Sequence, residues 1–300
     1  MIRNTTSGGT GAPALRCYLN LMSLEDLPAG SSAPVTRETG PLFEAIAAAG
    51  YQGVQLADVA KPEQLAACSR LKLGKASLGR VNQPSEADTL AARFRDEGVE
   101  CATLHVGWGT EDDAEAMRLI DAILSASAKH DVPLYVETHR ATIFQDIWRT
   151  VQFVKSFPQL RFNGDFSHWY TGQEMVYGGF ENKLAFIRPV LDRVRFLHGR
   201  IGDPGSMQVD VGDGDEASRP YVGHFKALWT ASFRGFLESA QAGDYLLFVP
   251  ELLSPRIYYA RLLNAGGESP AEESDRWEQS LVLARMAGEC FDEARRASRE

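Results

Sequence analysis

Apolar positions along the chain alternate between two periods. Short runs rich in Val, Leu, Ile, Tyr and Phe occur at 15–22, 51–57, 75–81, 99–109, 132–139, 160–166, 194–202 and 244–252, and they have the length and composition of buried strands. Between them apolar residues recur every third or fourth position, as on one face of a helix. "PLFEAIAAAG" carries Pro41 near its start and Gly50 as a stop signal. "PEQLAACSRLKLG" follows the second strand, and "SEADTLAARFRDEG" opens on Ser85 with acidic residues in its first turn. "DDAEAMRLIDAILSASAKHD" is a long amphipathic helix after the fourth strand, and "DRWEQSLVLARMAGECFDEARRA" closes the pattern.

Eight strand–helix units predict a parallel α/β sheet. In 300 residues the closed (β/α)8 barrel, a TIM barrel in one domain, is the best fit. An open doubly wound sheet is the alternative, but no G-x-G-x-x-G turn follows the first strand and no Walker A sequence occurs. The barrel is expected over 15–300. Residues 1–14, "MIRNTTSGGTGAPA", are rich in Ser, Thr and Gly without an apolar core, and read as a disordered lead-in, not a secretory signal. The aperiodic segments 23–40, 167–180, 203–220 and 263–275 each follow a strand, which in a barrel gathers them at the C-terminal face where active sites lie. "VDVGDGDEASRP" fails the spacing of a calcium loop and reads as solvated loop.

Charge and cysteine content narrow the class. With 31 Lys and Arg against 40 Asp and Glu, the net charge is −9 and no basic cluster tracks a phosphate backbone, so nucleic acid is not an expected partner. Cys17, Cys68, Cys101 and Cys290 form no C-x-x-C and read as free thiols of a reducing compartment. No apolar run reaches the length of a membrane span. The expectation is a cytoplasmic protein with a small-molecule partner.

Strands five to eight end on chemistry. "LYVETHR", "RFNGDFSHWY", "FLHGRIGD" and "LFVPELL" present Glu137, Asp165, His198 and Glu251 in consecutive order. One acid at a strand end is ordinarily a helix cap, and one histidine ordinarily a core residue. A barrel, however, brings all four ends into one ring. Three carboxylates and an imidazole suit one divalent ion of the Mn2+ type, with Mg2+ and Co2+ also fitting, better than the thiolate sets that select zinc. Without a cation three such carboxylates repel.

"VET", "GDFSHW", "LHGRIGD" and "VPEL", in this order, resemble the xylose isomerase-like TIM barrels, the sugar phosphate isomerase/epimerase group, over residues 15 to 297. The resemblance implies that Glu137, Asp165, His198 and Glu251 hold one divalent ion, usually Mn2+, and that His168 reaches a substrate oxygen. Where the ketose 3-epimerases of the group carry a further Glu and an Arg, this chain has Ile143 and Pro204, so 3-epimerase specificity does not transfer. Arg200, two residues after His198, shares its face by strand alternation.

The chemistry so implied is proton movement beside a carbonyl, with an enediolate stabilised by the metal, on a sugar or sugar derivative. Glu137 and Glu251 are the expected base and acid, and His168 and Arg200 the oxyanion stabilisers. His105 and Trp108 in "LHVGWG", and His139 on the Glu137 face, are candidate substrate contacts, whereas Arg140 points away toward a surface ion pair. His130 and His224 read as structural. A lyase, dehydratase or decarboxylase acting on a keto-sugar or sugar acid is the rival on the same scaffold. An endonuclease IV-type barrel would need more histidine ligands and a basic face. A catalytically dead metal-binding subunit is disfavoured by the presence of both glutamates. No phosphate-cradling loop is visible, which favours a non-phosphorylated substrate, and a homo-oligomer is compatible with the resemblance.

Overall fold

The alternation of periods becomes an alternation of elements. The structure, a computed structural model, describes residues 2–297 apart from 29, 35, 58, 218, 265, 268 and 269; of the barrel expected over 15–300, residues 298–300 thus lie outside the described residues. Eight strands form one sheet: β1 (Ala14–Asn20), β2 (Gly53–Gln55), β3 (Gly74–Val81), β4 (Cys101–Val106), β5 (Leu134–Glu137), β6 (Phe162–Asn163), β7 (Val194–Gly199) and β8 (Tyr245–Pro250). Each pairs parallel with the next, and β8 returns to β1 to close a barrel. The connecting helices are α1 (Thr39–Ala48), α2 (Pro62–Leu71), α3 (Pro84–Asp96), α4 (Asp113–His130), α5 (Ile147–Ser156), α6 (Phe166–Gly172), α7 (Phe180–Phe186), α8 (Arg188–Leu191), α9 (Pro220–Leu237) and α10 (Arg276–Ala297). No helix among the described residues is long and apolar enough to cross a membrane.

Local chemistry sets the helix starts. α3 begins one residue before Ser85, because Pro84 suits the first turn and the Glu86 carboxylate accepts the N–H groups of Asn82 and Gln83 at 2.6 and 3.0 Å. Asp112 and Glu115 close a reciprocal capping box at the start of α4, at 2.8 and 3.1 Å. Of the four segments expected to be aperiodic, 167–180 holds most of α6, and 263–275 contributes β10 (Ala271–Glu272) to a two-stranded antiparallel ribbon with β9 (Leu262–Leu263). In the calcium-like segment Asp210 is used internally: it accepts the Gly212 N–H at 2.9 Å and pairs with Arg219 at 3.6 Å.

Tyr18, Ala76, Cys101, Tyr135, Phe196, Tyr245, Leu247 and Val249 fill the barrel interior. The Tyr18 ring fits only because Gly74 has no side chain: a Cβ there would lie 1.8 Å from the Tyr18 hydroxyl, which donates to Glu100 at 2.5 Å. Residues 2–13, expected to be a disordered lead-in, instead cover the N-terminal end of the barrel. Ile2 is 3% exposed and joins the interior cluster, Thr5 bonds the Tyr135 hydroxyl at 2.8 Å, and Thr6 bridges to Asp244. Asn4 accepts from Arg195 Nε at 2.7 Å and donates to Asp244 at 2.8 Å. Polar composition misleads here because the partners of Ile2, Asn4, Thr5 and Thr6 that fix the segment are remote in sequence. Deleting residues 1–6 therefore lowers the urea midpoint of unfolding, with a loss of about 1.5–3 kcal/mol from the burial of Ile2 alone; an unchanged midpoint would show the segment to be dispensable.

Candidate metal centre and active site

β5, β7 and the segments after β6 and β8 deliver one cluster at the C-terminal end of the barrel. Glu137, Asp165, His198 and Glu251 are all buried, and each offers a ligand atom within 4.8 Å of the others. His198 gives Nε2 to the Gln55 side-chain oxygen at 3.1 Å, so Nδ1 faces the acids. It lies 3.4 Å from Glu137 Oε1, 3.5 Å from Glu251 Oε2 and 3.9 Å from Asp165 Oδ2. Glu137 Oε2 takes donors from Thr103 at 3.0 Å and Asn163 at 3.1 Å, whereas Oε1 is buried with no hydrogen-bond partner. That orphaned oxygen, the three carboxylates and a ring nitrogen aimed among them fit a divalent cation.

Asp165 serves both roles open to a strand-end acid. Its Oδ1 caps α6, accepting from Ser167 N at 3.2 Å and Ser167 Oγ at 2.6 Å, while Oδ2 turns to the cluster. β6 is only two residues long because this cap starts the helix at once. His168, on the first turn of that helix, places Nε2 3.4 Å from Asp165 Oδ2, and neither ring nitrogen has a hydrogen-bond partner.

Arg200 is brought to the cluster as well, but to the carboxylates. Fully buried, it sets Nη2 between Asp165 Oδ2 and Glu251 Oε2 and hydrogen-bonds both. Glu251 Oε1 accepts from Asn20 at 2.9 Å. Against the cost of burial, Arg200 and His168 hold the Asp165 carboxyl below its usual range, and His198 and His105 hold Glu137 well below its own. Burial opposes a charge on His198, yet Glu251 and Glu137 raise it to about 9.

His105, His139 and His168 stack as a wall, with ring centroids 4.0 and 3.8 Å apart. Burial and the neighbouring His168 ring push His139 down to about 2, so it stays neutral. Its Nδ1 donates to the Arg140 carbonyl, leaving Nε2 to accept from the Tyr259 hydroxyl at 3.3 Å. His105, Glu137 and His139 form a second group of ligand spacing. There Arg80 Nη2, 3.3 Å from His105 Nδ1, can only donate, so His105 Nε2 carries the proton that points at Glu137 Oε2, 3.4 Å away. His105 is thus a donor to Glu137 and not a ligand.

A cavity of about 170 Å³ opens on the cluster, lined by His105, Glu137, His139, His198, Glu251 and Tyr259 together with the apolar Met22, Leu78, Leu253 and Ile257. A groove of about 820 Å³ between α7, α9 and α10 is larger but lies on the outer helical layer, away from the strand ends. Trp108 is not in the cavity wall: it is 57% exposed, with the Arg80 guanidinium 4.1 Å over its ring. Arg140 lies 5.1 Å over the Tyr259 ring. His130 pairs with Asp88 at 2.8 Å and His224 stacks on Phe180, both structural contacts. At the position of the epimerase glutamate, Ile143 is a buried core residue. Tyr259, Gln55, Asn163 and Asn20 were not expected; Asn163 alone had a signal, two residues before Asp165 at the end of β6.

Three solved structures share this architecture. A xylose isomerase-like TIM barrel protein from Mycobacterium smegmatis, in complex with magnesium, matches over 94% of this chain and 98% of its own, at 12% identity and a TM-score of 0.55. The probable 3-DHS dehydratase of Bacillus anthracis matches over 91% and 97%, at 12% identity and 0.52. The apo 3-keto-D-glucoside 4-epimerase of E. coli matches over 91% and 99%, at 11% identity and 0.50. The chain has the fold of the xylose isomerase-like TIM barrels. No family model matches it, and no curated protein does.

The raised His198 has a pH signature. Its folded value of about 9 stands above the ordinary 6.5, so the stabilisation it gives chelator-treated protein is complete below about 6.5 and is lost as pH rises through about 9. Thermal melts across this window should fall for the wild type and stay flatter for His198→Gln. Parallel curves would remove His198 as the titrating group.

Proposed function

We propose that the protein is a divalent-metal-dependent isomerase or epimerase acting through an enediolate on a small, non-phosphorylated sugar or sugar derivative. The carrying observation is the convergence of Glu137, Asp165, His198 and Glu251, three of which line a cavity at the C-terminal end of the barrel. A divalent ion held by these four residues, Mn2+ by preference, would supply Lewis-acid stabilisation of charge on neighbouring substrate oxygens. Glu137, kept ionised, starts as the proton acceptor, and Glu251 returns the proton from another strand. His168 and Arg200 donate to the oxygen that gains charge, and the wall of His105 and His139 orients hydroxyls. The cavity of about 170 Å³ admits roughly six waters at about 30 Å³ each, which favours a small substrate.

A dehydratase or other lyase on the same residues is the second reading. The observation in its favour is His168, whose imidazole, 3.4 Å from Asp165, has no hydrogen-bond partner at either nitrogen and is left free for proton transfer to a leaving hydroxyl. The structures of like fold include both an epimerase and a probable dehydratase. Product analysis separates the two: rearranged substrate of unchanged mass, or loss of water.

Purified protein should carry about one divalent ion per chain, read by elemental analysis, and lose turnover on chelation. Asp165→Ala should lose the ion; a protein that takes up no Mn2+ ends the metal reading.

Glu137→Gln and Glu251→Gln keep an oxygen and the shape but cannot take a proton. Each should lower turnover by about 10²–10⁴-fold while substrate still binds. Exchange of a substrate C–H with D2O should survive in one variant and fail in the other, according to which side retains its base. Near-native turnover in both would leave these residues as ligands alone.

A further inference from the structure

Arg200 is held in a costly place. Its side chain is wholly buried, and while Nη2 is taken by Asp165 and Glu251, Nε and Nη1 have no acceptor. A buried guanidinium with two of its three nitrogens unpartnered loses much of what its ion pairs gain. What keeps it there is the acid cluster, which must have a positive charge among its oxygens. The two oxygens it holds, Asp165 Oδ2 and Glu251 Oε2, are also those that His198 Nδ1 faces at 3.9 and 3.5 Å. An oxygen-bound divalent ion draws on the same lone pairs at about 2.0–2.6 Å. Nη2 and the ion therefore contend for one gap. The guanidinium also has somewhere to remain, since its carbon lies 4.4 Å over the Tyr259 ring.

Resting on the metal reading above, we propose that Arg200 is a resident counter-ion of the ligand cluster that a divalent ion displaces, so that loading the site moves Nη2 off Asp165 and Glu251 and turns the guanidinium, under Tyr259, toward substrate oxygens. The metal-free cluster is then closed on itself, and the substrate-binding form of Arg200 exists only after loading. Removing Arg200 makes metal binding easier and the metal-free protein less stable. Two independent residue contributions without exchange would not tie these effects to a movement of Arg200.

The experiment titrates chelator-stripped wild type and Arg200→Gln with Mn2+, following free Mn2+ by electron paramagnetic resonance, with thermal melts of both stripped forms and a crystal structure of the Mn2+-loaded wild type. Expected are binding about tenfold or more tighter in Arg200→Gln, a lower melting point for that variant when stripped, recovery on adding Mn2+, and a loaded wild type in which Nη2 has left both carboxylates. Binding no tighter in the variant overturns the exchange, as does a loaded structure with Nη2 still on both oxygens. If Arg200→Gln does not fold, the loaded wild-type structure alone decides. Mn2+ uptake with this pattern but no sugar turnover defeats only the proposed function; Mn2+-dependent turnover without the pattern defeats only the exchange; no Mn2+ uptake by either protein defeats both.

Discussion

Three carboxylates are buried within one small volume, and the rest of the site is organised by that fact. Such a cluster persists only where positive charge and hydrogen-bond donors surround it. The protein supplies them from every side: His198 and Arg200 between the acids, Asn163 and Thr103 on Glu137, Asn20 on Glu251 and the Ser167 hydroxyl on Asp165. These six donors come from β1, β4, β6 and β7 and the segments that follow them, so the electrostatic demand of the centre is spread over half the strands of the barrel. Closure of the sheet is what allows so many remote residues to answer it.

The same demand explains the contrast within the lining of the cavity. Around the cluster two imidazole tautomers are dictated by a neighbour that can only donate or only accept: Arg80 for His105 and the Arg140 carbonyl for His139. The rest of the lining, Met22, Leu78, Leu253 and Ile257, offers nothing to titrate. A low-polarity wall there strengthens every interaction on the acid side by excluding water.

Much of this was legible in the sequence. Strand and helix periods located all eight strands, because parallel strands buried on both faces leave continuous apolar runs. The four strand-end residues could be aligned because a barrel gives every strand end the same height. What was not legible depends on rotamers and on contacts between distant residues. Alternation placed Arg200 on the His198 face but could not say which acid its guanidinium would meet. Trp108 ends its strand as a cavity residue would, yet Arg80 takes its ring face and leaves it at the rim. Tyr259 lies in a loop with no periodicity to announce it. The chain before β1 looked structureless because its few apolar atoms meet partners far along the sequence.

That last contact bears on how the molecule comes to be built. Ile2, Thr5 and Thr6 settle against Tyr135, Asp244 and the start of β8, and β8 itself must pair with β1. Neither the floor nor the seam of the barrel is available until almost all of the strands exist. A chain with this wiring has a high share of non-local contacts and pays their loop-closure entropy late, so it folds slowly and passes through partly open sheets. During that interval the edges of β1 and of the growing sheet are bare, and assembly in a cell would favour the company of a chaperone until the last strand arrives.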